Sequence, residues 1–183
     1  MQKTDLSAYN NSPYHPGGST LKRVLWYYVN VLIFKSSWFP FYGLKNALLR
    51  LFGSKVGTGV TIKPCVNIKY PWLLSIGNHV WIGENVWVDN LVMITIGNNV
   101  CISQGALLLT GSHSYKKTTF NLITGAITLE DGSWIGAQAI VNQGINVGSH
   151  AVLTSGSVAT KNLASYGIYQ GNPAVKVRQR VIE

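Results

Sequence analysis

The side chains best suited to proton transfer, nucleophilic attack or metal binding in this 183-residue chain are four histidines, six carboxylates and two cysteines. His113 stands apart from the rest. It lies in Leu108-Leu109-Thr110-Gly111-Ser112-His113-Ser114-Tyr115, where a regular pattern breaks and the stretch YKKTTFNLITGA begins. Imidazole titrates near neutral pH, so a histidine at the root of such an excursion suits a general base. His79 and His150 occupy matching places in IGNHVW and VGSHAV, which reads as a structural corner. His15, in a Pro/Gly-rich stretch, reaches a site only by folding over the remaining chain. Cys65 and Cys101 form no CxxC pair and read as free thiols of a reducing compartment.

The pattern that His113 interrupts must position these groups. Aliphatic residues open successive hexads at Val56, Ile62, Ile68, Ile76, Ile82, Val88, Ile96, Ile102 and Leu108, and again at Leu129, Ile135, Val141, Val147, Leu153 and Ala159. The next residue is often Gly, and the fifth is small or β-branched. Six-residue periodicity predicts a parallel β-helix: an all-β solenoid of short strands, three hexads to each triangular coil. The aliphatic residues stack along the axis, and Gly tolerates a close approach that a Cβ would obstruct. Two extra residues in each of the first coils, at 74–75 and 94–95, fall on one edge. The interior of such a prism is inert, so chemistry belongs on its outside or between prisms.

Composition agrees with one main domain: 46% hydrophobic and only 11% charged. The net charge of +9 is uneven, for residues 1–55 hold seven Lys/Arg against Asp5 alone. LKRVLWYYVNVLIF and WFPFYGLKNALLRLF predict two helices, broken near Pro40 and Gly43. This segment caps the first coil and packs on a neighbouring subunit, lies on an anionic membrane surface, or does both; it is too short to span a membrane. No groove-reading motif accompanies the charge, which argues against nucleic acid. The start of the chain lacks the apolar core of a signal peptide, which predicts a cytoplasmic protein, at most at the inner face of the membrane. The expected division is a cap at 1–55, the β-helix at 56–163 and a capping tail at 164–183, with one extended loop near 113–127.

Nearly the whole chain resembles the hexapeptide-repeat acyltransferases, and within them the maltose/galactoside and colanic-acid-type sugar O-acetyltransferases. The resemblance rests on DLSAYNN, LLRLFGSKVGTGVTIKPCVNIKYPW, WIGENVWVDNL, the TGSHSY element, and SWIGAQAIVNQGINVGSHAVLTSGSVATKN through YQGNPAVKVR. It implies a left-handed helix, an exception to the usual right-handed crossover, and a homotrimer with sites between prisms. It also implies acetyl-CoA as donor, a sugar or oligosaccharide acceptor, free or lipid-linked, and a place in surface polysaccharide biosynthesis. No acyl-enzyme and no metal are needed, because a ternary complex supplies proximity.

Residue by residue, the resemblance makes His113 the catalytic base. Trp134, Ala137, Ser155, Thr160, Lys161 and Arg178 fall at cofactor positions, the two cations suiting phosphates. Asn90 falls at an acceptor contact, with Asp89 and Asn85 close by in the sequence; Tyr115 either stacks on a sugar ring or pins the loop. Relatives often carry Asp after the histidine where this chain has Ser114, so the group orienting His113 becomes a main-chain carbonyl or another acid such as Glu130. Two other classes remain: a non-catalytic trimeric scaffold, and a γ-carbonic-anhydrase-type metal hydratase. The latter needs three converging histidines, whereas His79, His113 and His150 lie at unlike positions of their coils.

Overall fold

The computed structural model describes residues 2–183, and the hexad pattern is its skeleton. Parallel strands form three faces of a left-handed prism. Face A stacks Lys55–Val56, Leu74–Ile76, Ile94–Ile96, Ile127–Leu129 and Asn146–Val147. Face B stacks Thr61–Ile62, Trp81–Ile82, Cys101–Ile102, Trp134–Ile135 and Val152–Leu153, and face C stacks Asn67–Ile68, Trp87–Asp89, Leu107–Leu109, Ile140–Val141 and Val158–Ala159.

Registers follow the beat: Val56, Ile76, Ile96, Leu129 and Val147 lie in one row, and Ile62, Ile82, Ile102, Ile135 and Leu153 in the next. All of the fifteen beat residues except the half-buried Val56 are buried, and each full burial of an Ile, Leu or Val contributes about 1.5–3 kcal/mol. The two extra residues per early coil lengthen the face A strands, placing Leu74, Ile94 and Ile127 in a further buried row.

Corners explain the remaining hexad positions. The fourth residue adopts the left-handed conformation, φ +55° at His79 and +59° at His150. Both histidines are thus corner residues, and the ring of His150 stacks on Tyr166 at 4.8 Å. The second-position glycines serve stacking. A Cβ on Gly77 would stand 2.6 Å from the backbone of Gly97 in the next coil.

Two helices close the first coil. Helix α1 (Thr20–Val29), N-capped by the Ser19 hydroxyl, continues as a π-helical segment, Asn30–Phe34. Helix α2 (Tyr42–Leu51) follows. The break lies at 35–41, around Pro40; Gly43, expected to mark it, sits inside α2. Trp26, Phe34 and Leu49 extend the apolar core beyond the first coil. Polar side chains meet its free carbonyls: Trp26 Nε1 donates to Ile68, Lys45 Nζ to Lys63, Asn46 Nδ2 to Val60, and Arg50 to Val56 and Gly57. At the far end, strand Gly167–Gly171 joins face B beside Val152–Leu153 and turns back through antiparallel Ala174–Gln179.

Candidate active site

Between faces C and A of the third coil the chain leaves the prism as a hairpin. Strand Gly111–His113 pairs antiparallel with Leu122–Thr124, and the prism resumes at Ile127. His113 therefore sits on a paired strand, not on a free loop. Its Nδ1 lies 3.0 Å from the carbonyl oxygen of Phe120. A carbonyl only accepts, so Nδ1 carries a proton and any lone pair of the ring is on Nε2, which makes no hydrogen bond among the described residues. Phe120 holds a left-handed φ of +49° and lays its ring on the imidazole, 4.6 Å between centroids and 5° between planes. Of the two orienting groups expected, the main-chain carbonyl is the one found. Glu130 instead accepts from Asn146 Nδ2 and Ser149 N, and Ser114 N–H donates to Asn121.

His113 opens on a cavity of about 380 Å³. Its floor is the Lys69–Asp89 ion pair, 2.9 Å long, with side chains 39% and 16% exposed. Its wall is the N-terminal arm, which folds across the hairpin. Asp5 N donates to Thr118 O, Asn10 N to Asn121 Oδ1, and Tyr14 Oη to Leu91 O. The arm brings Tyr9, Asn11 and Tyr14 to the cavity, with the Tyr9 ring 5.9 Å from that of His113. Burial, reinforced by Tyr70 and Asp89 nearby, pushes the Tyr14 phenol well above its ordinary range, so it serves as a hydrogen-bond donor and not as a base.

The residues singled out for the acceptor do not all meet here. Asp89 lines the cavity. Asn90 does not: it is fully buried, donating to Tyr70 O and Leu73 O and accepting from Tyr70 N. Its carboxamide ties the edge loop to the second coil and has no face left for a ligand, which overturns the expected sugar contact. Asn85 is an exposed left-handed corner between faces B and C, and Tyr115 is 76% exposed at the hairpin tip; neither lines the cavity. Tyr9, Asn11, Tyr14, Lys69 and Phe120 were not singled out from sequence. The signal available was DLSAYNN, whose position in the chain carries no information about where it folds.

The residues expected to meet the acyl donor lie at four places. Trp134 projects from face B, 43% exposed, with Nε1 donating to Ser103 Oγ. Ala137 and Ser155 follow at the corner between faces B and C, where Ala137 O accepts from Gly156 N. Thr160 and Lys161, both exposed, lie past face C at the C–A edge, the edge that carries His113. Arg178, exposed, sits on the terminal strand opposite Ile168. Face B lies across the prism from the C–A edge, so one protomer does not bring His113 and Trp134 together. Among the described residues no three His, Cys, Asp or Glu side chains cluster to hold a metal ion. No helix among them is long and apolar enough to cross a membrane.

Comparison with known proteins gives this arrangement a context. No family model matches the chain. It is 37% identical over 179 residues, 97% of each chain, to Escherichia coli K12 WcaF, a candidate colanic acid biosynthesis acetyltransferase. It is 25% identical over 138 residues to the galactoside O-acetyltransferase of the same organism, covering 74% of this chain and 68% of that one. The hexapeptide-repeat acetyltransferase VCA0836 of Vibrio cholerae, solved in complex with acetyl-CoA, superposes with a TM-score of 0.78 at 26% identity over 88% of both chains. The chain belongs to the hexapeptide-repeat acetyltransferases, in the branch of the colanic acid biosynthesis enzymes.

Proposed function

We propose that this acetyltransferase moves an acetyl group from acetyl-CoA to a sugar hydroxyl during surface polysaccharide biosynthesis, at sites shared between the copies of a trimer. The observation that carries the reading is the imidazole of His113, fixed by the Phe120 carbonyl with Nε2 unpaired in a polar, partly aromatic cavity. Nε2 takes the proton from the acceptor hydroxyl as its oxygen attacks the acyl carbon; the thioester C–S bond then breaks and the proton passes from Nε2 to the departing sulfur, releasing CoA as the thiol. Asp89 and Asn11 offer hydrogen bonds to neighbouring hydroxyls, and Tyr9 offers an aromatic face. Acetyl-CoA supplies the thioester acyl group. The exposed Trp134, the Ala137–Ser155 corner and the cations Lys161 and Arg178 fit its arm and phosphates. The separation of His113 from Trp134 across the prism supports a site completed by a second copy. The chemistry needs no metal.

The acceptor is a sugar or oligosaccharide, free or lipid-linked. CoA release is to be followed with a panel of both kinds, beside His113→Ala. Turnover on one acceptor, falling about 10²–10⁴-fold in the variant while acetyl-CoA still binds, is the expected result. Neither binding nor turnover would leave a scaffold.

A further inference from the structure

The cap helices use only one side of themselves on the prism. Trp26, Val29, Asn30, Ile33 and Phe34 face inward, buried or half-buried. On the other side of α1 and its continuation, Leu21, Val24, Leu25, Tyr28 and Leu32 recur at i, i+3, i+4, i+7 and i+11, Leu21 and Leu32 being 68% and 60% exposed. The connection adds Trp38, 72% exposed, and Phe41. Helix α2 adds Leu44 and Leu51 at the same end of the prism. Isolated exposed apolar residues are ordinary, but a second full stripe on a helix already packed through its first is a contact surface.

Charge selects the occupant. From Leu6 to Gly83 the chain has no Asp or Glu and eight Lys or Arg. Lys45 is buried, but Lys35 and Lys55 are exposed, and Lys22 and Arg23 are half-buried on α1. A second copy would bring the same uncompensated positive charge to this end. An anionic lipid surface brings the opposite charge together with an apolar interior. Leu, Trp and Tyr beside Lys and Arg suit the headgroup boundary. The continuous helix Thr20–Phe34 is about 22 Å long at the usual rise, shorter than the apolar thickness of a bilayer, so it lies along the interface.

We infer that the outer stripe of α1, with Trp38 and the exposed end of α2, docks the protein peripherally on an anionic membrane surface, prism end first. This holds whether or not the transferase reading does. The test uses the full chain with vesicles of phosphatidylcholine alone or mixed with phosphatidylglycerol. The protein is expected to sediment with the anionic vesicles, weakly with neutral ones, and less as salt rises. Leu25→Glu/Leu32→Glu should reduce the sedimented fraction at least about tenfold, with melting temperature and solution mass unchanged. Because that variant could lose stability, a second readout uses the other exposed anchor: brominated lipid should quench tryptophan emission in the wild type and less in Trp38→Phe. The inference is overturned if the wild type stays in solution with anionic vesicles, if both readouts are indifferent to the substitutions, or if the double variant lowers the assembled mass, which would assign the stripe to a second copy.

Discussion

The carbonyl oxygen of Phe120 lies 3.0 Å from Nδ1 of His113 while the Phe120 ring covers the same imidazole, so one residue fixes both the proton's position and the plane of the ring. Replacing the ring removes the second constraint and keeps the first. Phe120→Ala is expected to lower kcat about 10–100-fold with the KM for acetyl-CoA unchanged, and Phe120→Tyr to restore most of it. Equal losses in both variants would reduce Phe120 to a loop residue.

Asn90 separates a structural role from a binding one. Asn90→Ala removes the partners of the Tyr70 N–H and the Leu73 C=O at a part-buried edge, while the Tyr70 C=O keeps the N–H of Leu73. Unfolding in denaturant should register a loss of about 2 kcal/mol or more. The acceptor KM of the enzyme that remains folded should hold steady.

If each site joins His113 of one copy to Trp134 of another, two dead enzymes should rescue each other. His113→Ala and Trp134→Ala, inactive alone and co-expressed at equal levels, should regain activity from about a quarter of their interfaces. No recovery, with mixed assemblies verified by tag pull-down, would place both residues in one copy's site.

Two glycines should respond in opposite directions. A Cβ on Gly136 would stand 2.5 Å from Ser155 N and 2.7 Å from Thr154 C, both backbone atoms of the next coil. Gly136→Ala should cost about 1–3 kcal/mol. Gly43 lies in α2 with open space where a Cβ would go, so Gly43→Ala should add about 0.5–1 kcal/mol. Thermal melts of the pair decide both.

Lys45 gives stability a pH dependence at alkaline pH. Burial holds its ammonium below the free value of 10.5, with the nearby Cys65 opposing in part. The unfolded chain therefore binds the proton more tightly than the folded one, and folding gains as pH rises through the folded pKa toward 10.5. Wild type should gain relative to Lys45→Met over that range in denaturant melts; a constant difference would mean that the ammonium is as well solvated folded as unfolded.

The coil was legible because its signal is local and repeated: Ile62, Ile82 and Ile102 declare the same row independently. His113 was legible as the residue at which that repetition fails. The cavity wall was not, because Tyr9 and Tyr14 reach His113 through contacts about a hundred residues long in sequence, made by an arm with no period of its own. Asn90 was misjudged for a related reason. An Asn beside an Asp at a corner reads alike whether its amide faces a ligand or the backbone of Tyr70, and only burial separates the two. Glu130 failed as the partner of His113 because its carboxylate lies beyond the C–A edge, bonded to Asn146 and Ser149 of the following coil.

A stack of parallel strands has no intrinsic length: each rung above the first turns its carbonyls to the N–H groups of the rung below, and the first rung turns the same carbonyls outward, ready for any strand that arrives. Lys45, Asn46 and Arg50 occupy those carbonyls with side-chain donors, which do not present a further rung. The same short helix that seals the core thus also terminates growth. A chain shorn of it would carry an open edge of unpaired carbonyls, exposed to any strand whose N–H groups are free.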